Sequence, residues 1–70
     1  MQRAFSNSGV IQSPGQRVAV FTNTPPLVGA EFEIVDTKGN VLNVAQAEHV
    51  GKNTTPGATQ KYVVNAKVVA

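Results

Sequence analysis

The sequence predicts an all-β fold: a small antiparallel sandwich or partly open barrel of about four to five strands, built on a central 30–45 hairpin and a long C-terminal strand. Three observations carry this. Residues 30–45 alternate apolar and polar around an Asp36-Thr37-Lys38-Gly39-Asn40 break. The runs 17–22 and 60–70 alternate in the same way. Glycines and prolines fall between these runs, where turns are needed.

Residues 1–8 are polar with Phe5 as the one large apolar anchor, so they read as a flexible N-terminal arm ahead of a single β domain over 9–70. Phe5 is a candidate for docking on a neighbouring subunit. Gly9-Val10-Ile11-Gln12 reads as a short strand leading into Ser13-Pro14-Gly15-Gln16. Pro presets the first φ of a type II turn and Gly accepts the positive second one. Arg17–Thr22 sets Val18, Val20 and Thr22 on one face and Ala19 and Phe21 on the other. Both faces are largely apolar, which predicts cover on two sides, one of them from another subunit. Pro25-Pro26 then breaks the strand as a rigid connection.

In the central hairpin, Asp36 accepts local N–H groups and Gly39 supplies the left-handed residue of a three-residue loop with a G1 bulge. Setting Asp36 opposite Asn40 pairs Val35 with Val41, Ile34 with Leu42, Glu33 with Asn43 and Phe32 with Val44. Apolar then meets apolar, as cross-strand pairs prefer. Residues 46–50 fit a continued strand or a single helical turn, the strand being favoured because Leu42 and Val44 are already used in β pairing. Residues 51–58 form a loop longer than most hairpin connections, and Lys52, Asn53, Thr54 and Thr55 are its candidate binding residues. The final run places Tyr62, Val64, Ala66 and Val68 on one face and Lys61, Asn65 and Lys67 on the other. Such a strand pairs within its own sheet or adds to a neighbour's.

Seventy residues make one domain and bury only roughly 60% of the unfolded surface, which is marginal for a lone core. There is no cysteine, one histidine and only four carboxylates, so disulfides and thiolate metal sites are excluded and no metal or cofactor is implied. Self-association is the remaining means of stabilisation. Charged residues are 14% of the chain against about 25% in ordinary soluble domains, and the six basic residues are scattered singly. That argues against a nucleic-acid or lipid footprint. No signal peptide or membrane-spanning run is legible, and the compartment stays open, a virion among the options.

Catalytic chemistry finds no support. Nucleophilic catalysis needs a base beside the nucleophile, and the single imidazole, His49, is not paired in sequence with Ser6, Ser8 or Ser13. Glu31 and Glu33 share a strand face and read as a wet surface. The sequence therefore predicts no enzyme and no catalytic residues.

The stretch Phe32–Val41 resembles hairpins common in immunoglobulin-like surface domains; it covers about a seventh of the chain and implies no function. The function the sequence favours is a non-enzymatic structural or assembly protein, a small β subunit of a homo-oligomer or larger particle such as a virion structural or decoration component. Its candidate interface is Phe5, Val18, Val20, Phe21, Tyr62, Val64 and Val68. The alternative is a carbohydrate- or protein-binding module using the 51–58 loop, although the absence of Trp leaves few platforms for sugars. A weak nucleic-acid-binding barrel ranks third.

Overall fold

The computed structural model describes residues 2–5 and 12–70. Five strands, β1 (Gln2–Phe5), β2 (Arg17–Thr22), β3 (Glu31–Val35), β4 (Val41–Lys52) and β5 (Tyr62–Val68), form one sheet in the order β1-β3-β4-β5-β2. The all-β class holds, with two refinements. The sheet is mixed, because β1 runs parallel to β3 while the other pairs are antiparallel. It is also a single layer that curls without closing: β1 and β2, the two edges, have Cα atoms within 8 Å of each other but share no ladder.

The turns follow local chemistry. Gln16 N–H donates to Ser13 C=O at 3.2 Å with Gly15 at φ +91°, the type II geometry that Pro14-Gly15 predicts. In the central hairpin Asp36 N–H donates to Asn40 C=O, and Gly39, at φ +88°, donates back to Asp36 C=O. The Asp36 Oδ1 atom accepts the N–H groups of Lys38 and Asn40, each at 2.9 Å. With its negative charge stabilised first by the Asn40 N–H and then by the Asn40 side chain, Lys38 and Gly39, the Asp36 carboxyl lies below its ordinary range.

The hairpin register departs from prediction above the turn. Val35 pairs with Val41 as expected, but Ile34 then pairs with Asn43, Glu33 with Val44 and Phe32 with Ala45. Leu42 is the extra residue of a β-bulge, and it turns β4 over by one position. Asn43, Ala45 and Ala47 consequently face the interior, while Leu42 and Val44 are only half-buried. The reason is volume. Phe32 is completely buried and is the largest such side chain, and its interior neighbours across the curl include Ala4, Ala45, Ala47 and Ala66. The other large side chains of that core, Val20, Ile34 and Val64, come from β2, β3 and β5, which leaves β4 room for small residues beside Phe32. A second bulge at Glu48 shifts the β4–β5 register between Ala47 and His49, after which Val50 packs on the core. Residues 46–50 are strand throughout, so the loop begins at Asn53 and not at Gly51.

Strands β2 and β5 keep the predicted alternation: Val20, Thr22, Val64, Ala66 and Val68 are buried, and Ala19, Asn65 and Lys67 are exposed. Both edges of β5 are paired within the chain, to β4 and β2, so it has no free edge to lend a neighbour. Beyond it, Val69 N–H donates to Val44 C=O and Val44 N–H to Ala70 C=O. The flexible arm expected over 1–8 gives way over Gln2–Phe5 to an edge strand, with Ala4 buried in the core and Arg3 ion-paired to Glu33 opposite it. The rest of that arm, and Gly9–Ile11 of the predicted first strand, lie outside the described residues.

Asn43 ties the segment before β2 to Ala70. Its Oδ1 atom accepts the Gln12 N–H at 2.8 Å, and its Nδ2 donates to Gln12 C=O at 2.8 Å and to Ala70 C=O at 3.3 Å. No buried side-chain polar atom among the described residues lacks a partner.

Candidate functional site

Strand directions bring two connections to the same end of the sheet. β2 leads up into residues 23–30, β4 leads up into 53–61, and the side-chain carbonyl of Asn23 ties them by accepting the Lys61 N–H at 2.8 Å. Within the connection from β2 to β3, Pro26 is buried. Leu27, Val28, Gly29 and Ala30 form a turn closed by Ala30 N–H to Leu27 C=O at 3.0 Å, with Gly29 at φ +90°. Gly29 N–H donates to Ala47 C=O at 2.8 Å, and Gln46 Nε2 donates to Gly29 C=O at 3.0 Å. The turn is thus pinned to β4 while Leu27 and Val28 project into solvent, 82% and 65% exposed.

The 53–61 loop is organised by Asn53. Its N–H donates to Lys61 C=O, its Nδ2 donates to Gln60 C=O, and its Oδ1 atom accepts the Thr55 N–H. Thr55-Pro56-Gly57-Ala58 closes a further turn inside the loop. The predicted binding residues therefore divide. Asn53 is half-buried and spent on holding the loop, whereas Lys52, Thr54 and Thr55 are exposed.

Three shallow concavities surround this loop. One of about 270 Å³ is lined by Lys52, Asn53, Ala58, Gln60, Lys61 and Tyr62. A second, about 220 Å³, lies over Phe21 beside Thr55 and Ala58. The third, about 260 Å³, lies between the sheet edges, where Arg3 meets Phe21, Thr22 and Asn23.

The sequence-predicted interface residues do not share one surface. Val20, Val64 and Val68 are no more than 1% exposed and belong to the chain's own interior. Val18 is half-buried and packs against that core. Phe21 is half-buried on the face opposite that core, beside its cross-strand partner Val63. Tyr62 is half-buried at the loop end. Phe5 contributes backbone to β1, paired with Val35, and its side chain lies outside the described residues.

Residues that the sequence reading missed are Leu27 and Val28, along with Asn23 and Gln60 of the loop framework. Gly29 carried the available signal, since Gly suits the third position of a type II turn and so an exposed tip. His49 is exposed, and the described residues contain no cluster of three potential metal ligands. No helix among them is long and apolar enough to cross a membrane. No protein-family model matches this chain, and neither the curated proteins nor the solved structures searched give a match.

Proposed function

We propose that this protein is a non-enzymatic structural subunit that assembles with copies of itself, as a homo-oligomer or in a larger particle such as a virion, through the end carrying residues 23–30. The observation that carries this reading is the Leu27–Val28 tip, two adjacent aliphatic side chains held in solvent by a hydrogen-bonded turn. Covering such side chains contributes about 1.5–3 kcal/mol each, which is large beside the marginal stability of a 70-residue chain. The low charge of the surface and the lack of disulfides support the same reading.

The test is solution mass by sedimentation over a dilution series, with circular dichroism in parallel. The wild type should hold a multiple of the monomer mass. Leu27→Ser/Val28→Ser should be monomeric with an unchanged spectrum, because both side chains already lie outside the core. A wild type that is monomeric throughout, or a double variant that keeps the oligomer, overturns the proposal.

A further inference from the structure

We propose that the concavity bounded by Lys52, Lys61 and Tyr62 is an oxyanion site that takes the dianionic phosphate group of a compact ligand. The inference is independent of self-assembly and rests on the charge arrangement of the loop end.

The chain has four acidic residues, and none of them lines this concavity. Among the described residues the ion pairs are Arg3–Glu33 at 3.3 Å and Arg17–Glu48 at 3.1 Å, and neither Lys52 nor Lys61 is in one. Asp36 sits at the hairpin tip, at the opposite end of β3 and β4. The nearest acidic residue along β4, Glu48, is four positions before Lys52, about 13 Å of extended strand. That exceeds the screening length of about 8 Å at physiological ionic strength.

The fold brings the two lysines together. Lys52 is paired with Tyr62 across the β4–β5 ladder, and Lys61, its backbone carbonyl and N–H held by Asn53 and Asn23, lines the same concavity. Two ammonium groups match the charge of one phosphate dianion. The concavity, about 270 Å³, is large enough for a compact ligand. Asn53 has both side-chain polar atoms engaged within the loop, so it shapes the site without contributing to the ligand.

Tyr62 is the single tyrosine in a chain without tryptophan, so intrinsic fluorescence reports on this pocket directly. Inorganic phosphate is titrated at constant ionic strength and pH about 8, where it is dianionic, against wild type, Lys52→Gln/Lys61→Gln and Lys67→Gln. All three lysines are exposed, and circular dichroism verifies that each variant folds. Wild type should give a saturable change, the double variant should bind at least about tenfold more weakly, and Lys67→Gln should match wild type. Acetate should bind more weakly than phosphate. The proposal is overturned by a non-saturable response, by a double variant that titrates like wild type, by an equal loss in Lys67→Gln, or by acetate matching phosphate.

Discussion

Replacing Asn43 tests whether the β4 bulge, and not the hydrophobic pattern, decides which face of that strand is inside. Asn43 is 5% exposed and makes two well-formed hydrogen bonds to Gln12, plus a longer one to Ala70. Each good bond contributes about 1 kcal/mol net, and the 3.3 Å contact less. Leucine at 43 loses both and leaves the N–H and C=O of half-buried Gln12 without those partners, but it adds apolar burial. The balance is a loss of about 2 kcal/mol, or about 8–16 °C in Tm for a domain of this size.

Asn43→Asp sharpens the test. It keeps the acceptor for Gln12 N–H but sets a carboxylate against the carbonyl oxygens of Gln12 and Ala70. The folded-state pKa of that carboxyl is then raised above its unfolded value of about 3.9. The penalty is full above the folded pKa and absent below the unfolded one, because a protonated carboxyl donates to the carbonyl as the amide did. Thermal melts by circular dichroism, from pH 3 to pH 8, should therefore show Asn43→Asp far below wild type at neutral pH and closing on it in acid. If Asn43→Leu melts with wild type, or the Asp deficit ignores pH, Asn43 does not face the interior and the bulged register is wrong.

Two further outcomes test the turns. Gly39→Ala should cost about 1 kcal/mol in urea unfolding, because a Cβ there meets nothing within 4 Å and the whole cost comes from φ +88°; an asparagine at 39 should recover part of it. Asp36, whose folded pKa is depressed by the Asn40, Lys38 and Gly39 groups around it, contributes stability above its ordinary pKa of 3.8 that is lost as pH falls through the lower folded value. The Tm difference between wild type and Asp36→Ala should be constant near neutral pH and shrink in acid; a gap that persists unchanged at pH 2 would show that the charge plays no part.

Much of the loop end was legible before the structure. A loop too long for a simple hairpin points to Lys52, Asn53, Thr54 and Thr55, and the apolar face of the last strand points to Tyr62; of these five, Lys52, Asn53 and Tyr62 are among the six residues lining the 270 Å³ concavity. What sequence reasoning lacked was their division of labour. Asn53 and Thr54 look alike as polar loop residues, yet only Asn53 is half-buried and bonded across the loop. The Leu27–Val28 tip was passed over because an apolar pair is ordinarily assigned to a core, and only the pinning of Gly29 to Ala47 shows that this one points outward.

The sequence by itself determined the features that depend on a few neighbouring residues. Pro14-Gly15 and Asp36–Asn40 make their turns through local φ preferences and local hydrogen bonds, and β2 and β5 bury one face because their alternation is clean on that face. Tertiary structure decided the rest. The parallel pairing of β1 with β3, and the antiparallel insertion of β5 between β4 and β2, depend on long-range pairing that no local pattern encodes. In β4 both faces carry apolar residues, so hydrophobicity favoured Leu42 and Val44 for the interior. The curled sheet reversed that choice with a one-residue bulge, because Phe32, Ile34 and the valines of β2 and β5 already fill its interior and leave β4 room for alanine and a fully bonded asparagine.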